Sequence, residues 1–230
     1  MAMAAALSTL VPQRADRLLL AAVGLCAVAA VFGAYGLPGL WLHWLGKPLA
    51  TVGLLLFAAR GRSAAPRYRG GVLAGLALSL LGDVLLMWPR DLFAAGLGAF
   101  LLAHFAYITA FTADTPLAAR QGPFLAYAAL AGVLSWLLWP GIPSALHLPV
   151  LLYVAALSAM AAQAAVRARV VATPGARCAA VGAALFALSD ASLAVDRFRW
   201  PFAAAEALVL GSYWLAQALI ALSVGRRASA

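Results

Sequence analysis

Eight apolar runs, each long enough to cross a lipid bilayer as a helix, follow one another along this chain. A hydrocarbon core of about 30 Å requires roughly 20 apolar residues in helical form. Runs of this kind cover residues 18–36, 42–59, 70–88, 92–112, 123–139, 148–166, 178–195 and 201–224. Prolines fall where helices tolerate them, early in four of the runs and directly after the third: Pro48, Pro123, Pro149, Pro201 and Pro89. The pattern predicts an all-α polytopic membrane protein with eight transmembrane helices.

Composition supports the same class. Hydrophobic residues make up 66% of the 230 positions and charged residues only 10%, which leaves no room for a separate soluble domain. We expect residues 1–17 to form a short cytoplasmic tail, 18–224 the transmembrane domain and 225–230 a second cytoplasmic tail. Cys26 and Cys178 offer neither a disulfide framework nor zinc-ligand spacing, so we interpret both as packing residues and expect no metal and no cofactor.

The basic residues predict the orientation of the helices. With the N-terminus in the cytoplasm, 12 of the 16 lysines and arginines fall on the cytoplasmic side, as is typical of bacterial inner-membrane proteins. The other side keeps Lys47, Arg90, Arg197 and Arg199. Six tryptophans fall at that outer side, where indoles form belts: Trp41, Trp44, Trp88, Trp136, Trp139 and Trp200. We therefore predict a cytoplasmic membrane protein with both termini inside, and we attribute the net charge of +9 to membrane anchoring rather than to nucleic acid.

Two aspartates, Asp83 and Asp190, lie deep within the third and seventh runs. An ionised carboxylate at the bilayer centre costs roughly 3 kcal/mol or more, so such a residue is a candidate functional group. Both sit in the pattern Leu, small residue, Asp, two residues, Leu. Asp83 lies 13 residues beyond Gly70 and Asp190 lies 13 beyond Arg177, where we expect the two helices to begin. Because four spans return the chain to its starting side, we expect two parallel four-helix repeats that place the two carboxylates at one depth. The alternative, that the aspartates only hydrogen-bond neighbouring helices, is disfavoured by this matched context.

Other polar side chains recur at helical spacing on the neighbouring runs. His104 and Tyr107 share one face of the fourth run, and Tyr213 and Gln217 share one face of the eighth. The sixth run offers Tyr153. Gly71, Gly75 and Ser79 precede Asp83 at four-residue steps, a small-residue stripe that lets a neighbouring helix approach closely. We expect these side chains to complete a polar cavity around the two carboxylates.

These residues also carry a family resemblance over about residues 40–222. The chain resembles the YhhN-type lysoplasmalogenase family in Lys47-Pro48, in the stretch 79–86, and in Phe93, Gly96, Phe100, His104 and Tyr107. Its second half matches at Gly182-Ala183, Phe186, Ser189-Asp190, Phe198, Tyr213 and Gln217. Asp196-Arg197 stands where the family often has an uncharged residue before the basic one. The resemblance implies a membrane enzyme that hydrolyses the vinyl ether bond of lysoplasmalogens, lysophospholipids of the membrane, to a fatty aldehyde and a glycerophospho-base.

This chemistry suits two carboxyl groups. A vinyl ether hydrolyses when an acid protonates its β-carbon and water captures the resulting oxocarbenium ion, and in glycosidases two carboxyl groups flank a similar ion. Asp83 and Asp190 are the predicted acid and base, in an order the sequence leaves open. We expect Lys47, at the outer end of the second helix, to hold the substrate phosphate. The remaining predicted substrate-binding residues are Ser79, His104, Tyr107, Tyr153, Ser189, Tyr213 and Gln217. A proton-coupled transporter and a non-catalytic lipid-binding protein are the alternatives, since paired intramembrane acids also serve proton relays.

Overall fold

The computed structural model describes residues 14–36, 39–61 and 65–225. Within these ranges the chain forms eight long helices and no strand. The helices are α1 (Arg14–Ala34), α2 (Leu40–Arg60), α3 (Pro66–Leu86), α4 (Phe93–Phe111), α5 (Gln121–Leu138), α6 (His147–Val170), α7 (Pro174–Phe198) and α8 (Ala205–Leu222). Two short 3-10 turns, Trp139–Gly141 and Ser144–Leu146, connect α5 to α6. Each of the eight helices, or for α5 and α6 the helix with its adjoining turn, is long and apolar enough to cross a membrane, which confirms the predicted fold class.

The predicted spans match these helices to within four residues at each end. Differences of four residues occur at arginine-rich ends, where α1, α3 and α7 begin earlier than predicted and α6 ends later. A difference of the same size occurs at α8, which begins at Ala205, so that Pro201 precedes the helix instead of lying early in it. Pro66 and Pro174 occupy the first turns of their helices, and the Thr173 side chain caps α7 by accepting a hydrogen bond from the backbone N–H of Ala176. Arginine is charged but is a good helix former, so a helix can extend beyond its apolar run into an arginine-rich segment. Residues 14–17 of the predicted tail therefore belong to α1, whereas 1–13 and 226–230 lie outside the described residues.

Neighbouring helices pack antiparallel through small residues. A Cβ atom added at Gly71 would lie 2.8 Å from the backbone nitrogen of Ala110, and one added at Gly82 would lie 2.5 Å from the ring of Phe100. Residue numbers rise from Gly71 to Gly82 along α3, whereas those of their partners fall from Ala110 to Phe100 along α4, so the two helices are antiparallel. The contacts hold the helices close together. The small-residue stripe predicted on α3 is thus a packing surface for α4.

The pairing of helices recurs in the two halves of the chain. In the first half α1 packs on α2, α2 on α3, and α3 on α4; in the second half α5 packs on α6, α6 on α7, and α7 on α8. Between the halves, α4 packs on α6 and α8 packs on α2. Each of these contacts has its counterpart four helices later, as expected for parallel four-helix repeats. The halves differ at their first helices, because α5 buries only Pro123 and Leu138.

A buried guanidinium group closes the arginine-rich end of the bundle. Arg167, in the last turn of α6, donates hydrogen bonds of 2.8 and 2.7 Å to the two carboxylate oxygens of Asp114, which follows α4. The same guanidinium lies over the ring of Tyr68 on α3, 4.2 Å from its centroid. Partial burial acts to raise the pKa of Asp114, but the hydrogen bonds and charge of Arg167 outweigh it and hold that pKa below the ordinary value of 3.8.

We expect Asp114→Asn to lower the thermal unfolding midpoint of the purified protein at neutral pH. A carboxyl group whose pKa is lower in the folded state stabilises the fold above its unfolded pKa, and that contribution is lost as the pH falls through the folded value. The difference between wild type and variant should therefore be constant above about pH 5 and shrink below pH 4. Asp91→Asn is the matched control, because Asp91 pairs with Arg197 but its side chain is 74% exposed. Equal midpoint losses in both variants would contradict the structural role of Asp114.

Candidate active site

A cavity of about 490 Å³ lies in the tryptophan-rich half of the bundle. Every helix except α1 contributes to its wall, and most of that wall is apolar, including Leu86, Phe93, Leu97, Leu130, Leu134, Val154, Leu157 and Phe198. Among the described residues, three charged side chains line it: Lys47, Asp83 and Asp190. An apolar cavity with a few convergent polar groups is the usual form of a small-molecule site.

Asp83 lies in the last turn of α3, where two hydroxyl donors and one cation converge on it. Its Oδ2 atom accepts hydrogen bonds from the hydroxyls of Thr51, at 2.7 Å, and Tyr213, at 2.8 Å. Its Oδ1 atom lies 3.7 Å from the Nζ atom of Lys47, and the Asp83 side chain is only 2% exposed. Hydrogen bonds and a nearby cation both stabilise the ionised form of a carboxyl group.

Asp190, on α7, has far fewer donors. Tyr153 donates a hydrogen bond of 2.5 Å to its Oδ2 atom. The Nε2 atom of His104 lies 3.8 Å from the same oxygen, too far for a hydrogen bond. The Oδ1 atom accepts no hydrogen bond from the described residues, and the side chain, which lines the cavity, is 15% exposed. The two carboxyl groups thus share one cavity but differ in their surroundings.

Each aspartate lies against helices from both halves of the chain. Asp83 contacts α2 of its own half and, through Tyr213, α8 of the other half. Asp190 contacts α6 of its own half through Tyr153 and faces His104 on α4 of the other half. In each case the aspartate is on the third helix of one repeat, and it meets the second helix of the same repeat and the fourth helix of the other repeat. The site is therefore one unit built from both repeats.

Six of the ten predicted site residues line this cavity: Lys47, Asp83, Tyr153, Ser189, Asp190 and Tyr213. The other four lie behind its wall, fully buried: Ser79, His104, Tyr107 and Gln217. Tyr107 donates a hydrogen bond of 2.6 Å to the side-chain oxygen of Gln217, which ties α4 to α8. Their part in substrate binding stays a prediction.

Two residues lie at other positions along their helices than the apolar runs indicate. Asp83 is in the last turn of α3, because the helix begins four residues earlier than the apolar run and ends at Leu86, two residues before the end of that run. Lys47 lies seven residues inside α2, about 10 Å from its first residue, rather than at the outer mouth. A lysine this deep is buried together with its counter-charge, Asp83.

Sequence reasoning missed several polar residues of the site. Thr51, which donates to Asp83, follows Lys47 by one helical turn, and this spacing was a usable signal. Tyr127, Ser135 and Ser158 also line the cavity, but they lie on α5 and α6 with no pattern that singles them out. Within the described part of the chain, no group of three or more His, Cys, Asp or Glu residues is arranged to hold a metal ion.

The fold and this cavity define a class: multi-pass helical membrane proteins with a pair of carboxyl groups inside the transmembrane region. The model of the YhhN family matches residues 42–224, and the chain belongs to that family. It is 35% identical over 156 residues to lysoplasmalogenase TMEM86A of Homo sapiens, covering 66% of this chain and 64% of the relative. Lysoplasmalogenase TMEM86B of Sus scrofa is 35% identical over 188 residues, or 81% of this chain and 76% of the relative.

A bacterial relative, lysoplasmalogenase of Mycobacterium bovis, is 35% identical over 187 residues, 72% of this chain and 68% of the relative. The chain thus aligns with somewhat less than two thirds of the length of the human TMEM86A protein. No solved structure matches the chain.

Proposed function

We propose that this protein is a lysoplasmalogenase, a membrane hydrolase that cleaves the vinyl ether bond of a lysoplasmalogen. The observation that carries the proposal is the convergence of Asp83 and Asp190 on one largely apolar cavity. Apolar walls accommodate an alkenyl chain, and paired carboxyl groups supply the acid and base that vinyl ether hydrolysis needs. The names of the relatives, lysoplasmalogenases from mammals and from a mycobacterium, support the same reaction.

The reaction consumes one water molecule and neither gains nor loses protons overall. A general acid delivers a proton to the β-carbon of the double bond, and the electron pair of that bond forms the new C–H bond. The positive charge is then shared between the α-carbon and the ether oxygen as an oxocarbenium ion. Water adds to the α-carbon and loses a proton to the base, giving a hemiacetal. Its carbon–oxygen bond to glycerol breaks with proton transfer to the leaving oxygen, and the products are a fatty aldehyde and a glycerophospho-base.

The surroundings of the two carboxyl groups suggest how the roles are divided. Asp190 is the general acid in this proposal, because it has one hydrogen-bond donor and an Oδ1 atom that accepts no hydrogen bond from the described residues, free to present a proton. Asp83 is the carboxylate that stabilises the oxocarbenium ion and takes a proton from water. The hydrogen bonds from Thr51 and Tyr213 and the nearby charge of Lys47 favour its ionised form.

The assay that tests the proposal uses purified protein, a lysoplasmenyl lipid and detection of the fatty aldehyde. In D₂O the aldehyde should carry one deuterium on the carbon next to the carbonyl, since that carbon is the protonated β-carbon of the vinyl ether. The matched control substrate is a lysophospholipid with a saturated alkyl ether, which cannot form the oxocarbenium ion and should stay intact. Absence of aldehyde, or aldehyde without deuterium, would refute the proposed reaction.

We also propose that Lys47 binds the substrate phosphate. Its Nζ atom lies 3.7 Å from Asp83, longer than a charge-assisted hydrogen bond, so the ammonium can turn to a second anion without leaving the first. We expect Lys47→Met to raise KM about tenfold with a smaller change in kcat, because phosphate binding is common to ground and transition states. Lys47→Arg, which keeps the charge, should raise KM less. A fall in kcat with KM unchanged would instead indicate that Lys47 interacts with Asp83 alone and does not bind the phosphate.

The proposed orientation places both termini in the cytoplasm, with the cavity in the outer half of the bilayer. In a variant without Cys26 and Cys178, a single cysteine at Ser63 should react with an impermeant maleimide only from the cytoplasmic side. A single cysteine at Ser144 should react only from outside. In the sequence Ser63 falls between α2 and α3 and Ser144 between α5 and α6, so the topology assigns the two positions to opposite sides of the membrane. The reverse labelling pattern would invert the orientation.

A further inference from the structure

Three arginines surround a second pocket at the arginine-rich end of the bundle, far from the carboxyl pair. Arg120 precedes α5, Arg169 is in the last turn of α6, and Arg177 is in the first turn of α7. The pocket between them has a volume of about 540 Å³, and its remaining wall consists of alanines: Ala165, Ala168, Ala172 and Ala180. Small side chains leave the space between the three guanidinium groups open.

Two other arginines of the protein are paired with carboxylates. Arg167 pairs with Asp114, and Arg197 pairs with Asp91. In contrast, Arg120, Arg169 and Arg177 are all exposed and form no ion pair with any described residue. The positive charges at this pocket are therefore not balanced by the protein itself.

Helix geometry adds to this positive potential. Arg120 stands at the N-terminal end of α5 and Arg177 in the first turn of α7, where unpaired backbone N–H groups already carry partial positive charge. A cation at a helix N-terminus is unfavourable unless an anion lies nearby. Arginine suits one type of anion in particular, because its planar fork matches the oxygens of a phosphate group.

We propose that this pocket binds the phosphate headgroup of an anionic phospholipid from the membrane leaflet at the arginine-rich end. The pocket lies where the lipid-facing surface of the bundle begins, since Val181, directly after Ala180, is 54% exposed and Val170, directly after Arg169, is also exposed. Apolar surface beside the three arginines favours an occupant with acyl chains over free phosphate. Basic pockets between transmembrane helices on the cytoplasmic side bind anionic lipid headgroups in this way.

The test measures binding of phosphatidylglycerol to the full-length protein in neutral detergent, by native mass spectrometry and by the rise in thermal unfolding midpoint. The pocket variant carries Arg120→Gln, Arg169→Gln and Arg177→Gln. The control variant carries Arg14→Gln, Arg60→Gln and Arg67→Gln, three exposed arginines at the same end of the bundle, so both variants lose the same charge. Phosphatidylcholine and inorganic phosphate are the comparison ligands.

We expect phosphatidylglycerol to bind the wild type and the control variant with similar affinity, and the pocket variant about 100-fold more weakly, at roughly fivefold per arginine. Equal weakening in both variants would show a general charge effect and overturn the proposal. If inorganic phosphate alone raised the unfolding midpoint, and this rise depended on the same arginines, the ligand would be a free anion and not a lipid. Should the triple pocket variant fail to fold, Arg169→Gln alone should weaken binding about fivefold, and unchanged affinity would refute the site.

Discussion

Asp190→Asn and Asp83→Asn should each reduce aldehyde release by about 10² to 10⁴-fold in otherwise folded protein, the range that a general acid or base contributes. An amide keeps the shape of the carboxyl group but neither donates a proton to carbon nor carries a charge. Because the two groups act in one reaction, the double variant should be scarcely slower than either single variant. Asp91→Asn, which alters an exposed carboxylate outside the cavity, is the control and should retain activity.

The division of roles has its own test. A vinyl ether with a methyl group on its α-carbon is protonated more readily and depends less on a strong acid. Asp190→Asn should therefore lose less activity with this substrate than with the unsubstituted one, whereas Asp83→Asn should lose a similar factor with both. The opposite pattern would exchange the acid and the base. Near-normal turnover in either single variant would exclude the two-carboxylate mechanism, and proton flux without hydrolysis would favour a transporter.

A large effect on stability is expected from a single methyl group at Gly71. A Cβ atom there would lie within 2.9 Å of backbone atoms of both Ala110 and Ala106, which cannot move without displacing α4. Gly71→Ala should therefore destabilise the protein by about 1 to 3 kcal/mol, the usual cost of overpacking. Its neighbour provides the control, since a Cβ atom at Gly70 meets nothing within 4 Å.

Thermal unfolding of the two variants in detergent makes this comparison directly. Gly70→Ala should leave the midpoint unchanged or slightly raised, because alanine is the better helix former. Gly71→Ala should lower it by several degrees. Because α4 carries part of the cavity wall, Gly71→Ala should also reduce aldehyde release, while Gly70→Ala should not. Equal midpoints would mean that α3 and α4 separate at little cost.

The sequence predicts the parts of this fold that depend on hydrophobicity and charge. Eight apolar runs identify eight helices, and the costly burial of Asp83 and Asp190 marks both as candidate functional residues. What it does not predict is which faces meet. Thr51 bonds to Asp83 only because α2 and α3 pack side by side, and Tyr213 reaches the same carboxylate from the other half of the chain. Such contacts depend on the tertiary arrangement of helices, which hydrophobic runs do not encode.

The partial burial of α5 could not be read from its composition either. Its residues are as apolar as those of the other helices, yet only two of them are buried, and part of its inner face lines the cavity. Lipid and protein interior are both apolar, so a hydrophobic side chain does not reveal which of the two it faces.

Both halves of the chain contribute helices to the surroundings of each aspartate. This arrangement bears on how one site came to hold two carboxyl groups in different surroundings. A duplicated four-helix unit begins as two equal copies, and two carboxyl groups in equal surroundings share a proton equally, so neither is a committed donor. Lys47, on the second helix of the first half, lies beside Asp83, and Tyr153, on the second helix of the second half, donates a hydrogen bond to Asp190. In the proposed mechanism this difference, together with the hydrogen bonds of Thr51 and Tyr213 to Asp83, makes Asp83 the carboxylate and Asp190 the proton donor. Under that mechanism, unequal surroundings in two similar repeats give the site one acid and one base.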